Sequence, residues 1–293
     1  MMIGHKFFRM GLRAIVTITA VIVMAPALAA DPPDWSTPVK PFRIAGNIYY
    51  VGTKGLAAYL IVSKRGAILL DGTLPGNAAL VERNIQSLGV PLRRVRLLIS
   101  DHAHGDHVGP LAQIKRDTGA RLLASAGDRW ALEHGVNRGD TNYGAWRFPP
   151  VKVDGIVGEG QTIRLGEIAL TAHLTPGHTP GCTSWSMTIR DNAAPRRVLF
   201  LCSVTVAGNI LVGNRAYPEI VKDYRATFAK LAAMRADILL TSHPEMAGLL
   251  DREARREAGM SNAFVDAGTL PALIVESRAA FEDALAKAQK AAQ

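Results

Sequence analysis

The hydrophobic pattern after residue 41 reads as two successive β-rich halves, each finished by helices. Apolar runs of β-character occupy Ile44–Val51, Ala57–Ser63 and Ala67–Asp71. Gly46, Gly52, Gly55 and Gly66 supply their turns, which is the grammar of an antiparallel meander. Asn77–Leu88 places Leu80, Val81, Ile85 and Leu88 at helical spacing before Gly89. Val95–Ser100 is a continuous apolar strand, followed by a polar segment, 101–109. Leu111–Thr118 predicts a helix, Arg121–Ala124 a strand and Gly127–Gly135 a helix. The Gly-rich, polar stretch Val136–Pro149 reads as a mobile loop. A second strand set follows at Gln161–Leu165, Ile168–Leu174, Ser184–Ile189 and Val198–Cys202. Helices are expected at Pro218–Met234, Leu249–Ala258 and Ala272–Ala291, with a strand at Ile238–Thr241. Two sheets stacked face to face with helices outside would bury both strand sets. The expected fold is therefore α/β, an α/β/β/α sandwich. No Pro/Gly/Ser linker divides the halves, so one domain is expected.

The first thirty residues follow a different rule. Lys6, Arg9 and Arg13 precede the apolar stretch Ala14–Met24, Pro26 breaks it, and Ala27-Leu28-Ala29 offers small residues for a cut before Ala30. The run is shorter than the roughly 20 apolar residues of a transmembrane anchor. Residues 1–29 are thus expected to be a cleaved export signal and 30–293 the mature domain, periplasmic and without stable membrane association. The formal charge is +9, three units of which belong to the signal. The remaining basic residues are dispersed and only 6% of the chain is aromatic, so a nucleic-acid partner is not expected. A mildly positive surface favours small anionic substrates. Nothing calls for a partner chain, and a monomer is expected. Cys182 and Cys202 each fall in a run that reads as a strand. A pair of buried thiols is the plain reading, with a single bridge left open by an oxidising compartment.

The chemistry concentrates in His102-Ala103-His104-Gly105-Asp106-His107, directly after a strand. Residues two apart lie about 200° round a helix but on one side of an extended chain, so His102 and His104 converge as the strand ends. Gly105 permits a turn that aims Asp106 and His107 at a second point. Imidazole with carboxylate suits zinc. Two more histidines repeat the arrangement at strand ends: His178 in Thr175-Pro176-Gly177-His178-Thr179-Pro180-Gly181, and His243 in Thr241-Ser242-His243-Pro244. His134, in an expected helix, and His173, inside a strand, read as structural.

These three motifs resemble the metallo-β-lactamase superfamily over essentially the whole mature chain. The resemblance implies two zinc ions, the first held by His102, His104 and His178, the second by Asp106, His107 and His243. It also implies catalytic roles for Asp106, His102 and His104. Thioesterase and lactonase members carry an Asp that bridges the metals after the strand Val198–Cys202, where this chain has Ser203. Cys202 is one residue early for the cysteine ligand of one class B subclass and would face the other way. With Ser203 in the slot and His107 as ligand, the chain is similar to subclass 3 of the class B β-lactamases. Ser203 and Thr205 then correspond to hydroxyls that hold the substrate carboxylate. Asn209 corresponds to a residue aimed at the lactam carbonyl, or it is a plain turn residue.

The function implied is hydrolysis of the β-lactam amide of penicillins, cephalosporins and carbapenems by a metal-activated hydroxide, giving antibiotic resistance. Asp106 would orient the nucleophile and accept its proton. Asp71 either supports the site or simply opens the turn Asp71-Gly72. Substrate access is expected past the loop Val136–Pro149 and the segment around Trp35 and Phe42. Two alternatives remain at this stage. One is a thioester or lactone hydrolase of the same fold; the other is an exported zinc-binding protein without activity.

Overall fold

Alternation along the central strands decides the layers. In β3 (Tyr59–Ser63) Tyr59 and Ile61 join one buried cluster, while Leu60 between them joins another. In β4 (Gly66–Leu70) Ile68 and Leu70 face the first cluster, Ala67 and Leu69 the second. A strand apolar on both faces must be covered on both.

The computed structural model describes residues 31–191 and 194–293. The expected export signal lies outside them. A seven-stranded sheet has the order β1 (Phe42–Ala45), β2 (Ile48–Tyr50), β3, β4, β5 (Val95–Ile99), β6 (Arg121–Ser125), β7 (Gly155–Val157). Its first four strands pair antiparallel and the rest parallel. A five-stranded sheet runs β12 (Ile238–Thr241), β11 (Ala194–Leu201), β10 (Thr183–Asp191), β9 (Ile168–Leu174), β8 (Thr162–Leu165).

The first cluster lies between the sheets, where Tyr50, Tyr59 and Ile68 meet Trp185 and Phe200, and it continues to α5 (Ile220–Ala233) and α7 (Thr269–Ala291) through Phe228 and Phe281. The second packs the first sheet against α1 (Ala78–Ser87), α3 (Leu111–Thr118) and α4 (Ala126–His134), through Val81, Ile114 and Leu132. Helices thus cover both outer faces, the expected α/β/β/α sandwich, in a single unit, Pro32–Gln293. Among the described residues no helix is long and apolar enough to cross a membrane.

Four local expectations change. The run Ile44–Val51 is two strands, because Gly46-Asn47 forms a two-residue hairpin loop with Gly46 at φ +52°. Asp106 and His107 sit on a single helical turn, α2 (Gly105–Val108), rather than in an irregular turn. The loop Val136–Pro149 is fastened down rather than free. Thr141 bridges Asn209, Asn142 N–H donates to Gly208 O at 2.9 Å, and Asp140 caps the backbone of Arg215. Cys182 and Cys202 are not free thiols but a disulfide, because antiparallel β10 and β11 bring their Cα atoms to 5.9 Å.

Candidate metal centre

The candidate ligands gather at one rim of the sandwich, four just past strand ends and two, Asp106 and His107, on the helical turn α2. β5 leads into His102 and His104, β9 into His178, and β12 into His243. The rim is braced from below. Asp71, held at φ +61°, accepts the Asp101 N–H on Oδ1 at 3.0 Å, and Gly72 N–H donates to His107 O at 2.7 Å. Asp71 therefore both opens its turn and supports the histidine loop. On the far side Tyr59 OH donates to Thr241 O at 2.6 Å, tying the His243 loop to the first sheet.

His102, His104 and His178 are buried, and one ring nitrogen from each lies within 4.8 Å of the others. His178 Nδ1 pairs with Thr205 O at 2.8 Å and His102 Nδ1 with Asp101 Oδ1 at 2.7 Å. If both Nδ1 atoms carry the proton, as a carbonyl and a carboxylate require, the two Nε2 atoms meet as lone pairs 3.1 Å apart. Two acceptors at that distance call for a cation between them. Burial first, and neighbouring imidazoles second, hold His102 well below the usual range and lower His104 and His178 to about 3. These rings are neutral, the form that ligates metal.

Around the second point, His102, Asp106 and His107 form another group. Asp106 Oδ2 stands 3.1 Å from His107 Nε2 and 3.4 Å from His243 Nε2, and the His107 and His243 ring centroids are 5.0 Å apart. Burial raises the Asp106 carboxyl, but His107 and His243 outweigh it and keep it well below its usual value. His104 Nε2, Asp106 Oδ1 and both ring nitrogens of His107 are buried without a hydrogen-bond partner. Each such atom costs about 1–3 kcal/mol if nothing satisfies it. Such atoms gathered on one wall fit a site built to be completed by metal, and imidazole and carboxylate donors suit zinc. Burial lowers His107, but the Asp106 carboxylate outweighs burial and raises it. A grouping of Asp101, His102 and Cys202 is also close in space, but Cys202 is oxidised and offers no thiolate.

Ser203 is buried just past β11, and its Oγ lies 3.1 Å from Thr205 Oγ1, which is exposed. The two hydroxyls thus face one side, as their spacing requires. Asn209 is buried and its amide donates to His178 O at 3.1 Å. Trp35 stacks on Trp146 at 6.3 Å and lies 5.6 Å from the His243 ring. Phe42, expected beside it, instead packs into the core against Tyr50 and Phe264. His134 and His173 bond Trp130 O and Ser186 Oγ respectively, away from the cluster.

Two acidic residues at the centre escape a reading by sequence. Asp101, pushed up by burial, orients His102. Asp128 accepts bonds from Ala103 N–H, Thr179 Oγ1 and Gly181 N–H. An acid directly before the first histidine was the only visible signal for Asp101. Asp128, in the first turn of a helix, looks like a cap.

The family model of the metallo-beta-lactamase superfamily matches residues 52–243. Among solved structures, BJP-1, a subclass B3 metallo-beta-lactamase of Bradyrhizobium japonicum, is 44% identical with a TM-score of 0.85, and the match covers 89% of this chain and 99% of that one. Curated relatives match over shorter stretches. The uncharacterised Bacillus subtilis protein YobT is 31% identical over 43% of this chain and 54% of its own length. A hydroxyacylglutathione hydrolase of Cereibacter sphaeroides is 35% identical over 36% of this chain and 32% of its own length. The chain thus spans about half or less of these curated relatives, whereas it spans almost all of BJP-1. The chain belongs to the metallo-beta-lactamase superfamily and, within it, to the subclass B3 metallo-beta-lactamases.

Proposed function

We propose that this protein is a zinc-dependent β-lactamase that opens the amide of penicillins, cephalosporins and carbapenems. The observation that carries the reading is the slot after β11. A neutral Ser203, paired with Thr205 at 3.1 Å, stands where a bridging carboxylate would suit a thioesterase. The similarity to BJP-1 along its whole length supports the same substrate class.

His102, His104 and His178 would hold one zinc ion, and Asp106, His107 and His243 a second. When bound, such ions supply a Lewis acid for the carbonyl oxygen and bring the pKa of water towards 7. The protein's own contribution is placement. Thr205 O and Asp101 fix the tautomers of His178 and His102. Asp106 Oδ1, buried and without a partner, is the oxygen left to take a proton from the attacking water. Ser203 and Thr205 would exchange their mutual bond for bonds to the substrate carboxylate. Asn209 spends one of its two amide N–H donors on His178 O, so its first role in this reading is to hold that turn. Residues 1–29 would direct export to the periplasm, where hydrolysis confers resistance, and the enzyme would act as a monomer.

The partial match to a hydroxyacylglutathione hydrolase favours one rival, a thioester hydrolase. Assaying the zinc-loaded protein against a carbapenem and a glutathione thioester separates the two. The expected result is carbapenem hydrolysis at kcat/KM of about 10⁴ M⁻¹ s⁻¹ or more, abolished by a chelator, with far slower thioester cleavage. The reverse preference would overturn the proposal.

A further inference from the structure

Asp128 belongs to none of the ligand motifs, yet it binds two of the loops that carry them. Its Oδ2 accepts the Ala103 N–H at 2.9 Å, between His102 and His104. The same oxygen accepts the Thr179 hydroxyl at 3.0 Å, directly after His178. Oδ1 accepts the Gly181 N–H at 3.0 Å, and Ser125 Oγ donates to Gly181 O at 2.6 Å.

The helix that carries Asp128 gives up something for this. Ser125-x-x-Asp128 has the spacing of a capping box, but α4 has no side-chain cap bond. The acid is turned away from its own helix and into the loops. The approach is close enough to demand glycine on both sides. A Cβ on Gly181 would lie 2.2 Å from Asp128 N and 2.4 Å from its Cγ, and one on Gly127 would lie 2.3 Å from Pro180 O. The start of α4 and the His178 loop are thus pressed together backbone to backbone, with Asp128 buried between them.

All three partners of Asp128 act as donors, matched to an ionised carboxylate, a pure acceptor. Burial pushes this carboxyl up to about 7, although the three donors pull it back towards the charged form. An amide of the same shape would set its NH₂ group against at least one of them. The bond to Ala103 holds the extended link that keeps His102 and His104 on one side. The bonds to Thr179 and Gly181 hold the turn that presents His178. We propose that Asp128 is a positioning residue that fixes the distance between the His102–His104 pair and His178, and so sets the zinc affinity of the three-histidine site. This rests on the two-zinc reading above.

The test measures zinc affinity in the full-length folded protein by competition with a chromophoric chelator at pH 7, alongside circular dichroism. Removing an outer partner of a metal ligand typically costs 10–100-fold in affinity. In Asp128→Asn, one of two zinc ions should bind 10–100-fold more weakly, and the other within about twofold of wild type. Thr179→Val, which removes one arm and keeps the carboxylate, should weaken the same ion by about threefold or more. A merely structural role would lower the melting temperature and leave the zinc affinity of the folded fraction unchanged. Folded Asp128→Asn with wild-type affinity would overturn the proposal. If that variant does not fold, unchanged affinity in Thr179→Val overturns it. A wild type that binds no zinc refutes the two-zinc reading itself, a distinguishable failure.

Discussion

At the scale of single residues, the site shows how burial selects protonation state before any metal arrives. His104 and His178 are lowered to about 3 because a buried imidazolium among other imidazoles is costly. Asp106 stays ionised beside His107 and His243. Ser203 and Thr205 are neutral at every pH, so they hold an anion by hydrogen bonds alone, each worth roughly 1.5–3 kcal/mol to a charged group. Ser203→Ala combined with Thr205→Val should therefore raise KM for a carbapenem by about tenfold or more while zinc content stays at the wild-type level. The effect falls on KM if the contact is equally strong in ground and transition states. Wild-type KM in the double variant would show that the two hydroxyls do not hold the carboxylate. The clustering of the candidate ligands was legible in the sequence because four side chains of metal-binding type in six residues have few other uses. Asp128 was not. An acid three positions after a serine at a helix start reads as a cap, and only the tertiary contact redirects it.

At the scale of elements, long periodic segments were legible and short or bent ones were not. Leu111–Thr118 and Ile168–Leu174 agree with their expected spans to the residue, since each has flanking turn signals and a clear period. β7 was missed because three residues at a sheet edge cannot show an alternation. The disulfide was left open by the sequence because spacing of 20 residues says nothing about which strands become neighbours. The Thr175–Gly181 turn shows what such a connection demands of sequence. Gly177 has φ +141°, and a Cβ there would lie 2.8 Å from the Tyr224 ring. α5 closes over the turn, with Thr227 Oγ1 donating to Pro176 O at 2.7 Å. Strained backbone of this kind costs roughly 1–3 kcal/mol in a non-glycine residue. Gly177→Ala should lower unfolding free energy by about 2 kcal/mol or more by denaturant titration, because displacement of Tyr224 adds to the strain. An unchanged midpoint would mean that the turn relaxes freely and does not clamp His178.

At the scale of the whole molecule, the rim is assembled from both sheets, so its geometry depends on keeping them in register. The Cys182–Cys202 bridge lies within one of them, the five-stranded sheet, and ties two of its strand ends at the rim. It joins the residue before β10 to the residue after β11, next to the His178 turn on one side and Ser203 on the other. Cross-linking a loop of this length removes unfolded-state entropy worth about 3 kcal/mol in the chain-entropy model. The stabilisation acts mainly through the unfolded chain, because the β10–β11 ladder already holds the folded one, from Trp185 opposite Phe200 to Asp191 opposite Ala194. Neither sulfur is a ligand in the proposed site. Cys182→Ala with Cys202→Ala should thus unfold about 3 kcal/mol more easily, at fixed zinc concentration since bound metal also stabilises. Its kcat for a carbapenem should stay within about threefold of wild type. Strong reductant on the wild type should reproduce the loss of stability and leave the double variant unaffected. A double variant as stable as wild type would show that the sandwich holds the two strand ends without the bridge. A collapse of kcat with stability preserved would show instead that the bridge shapes the site itself.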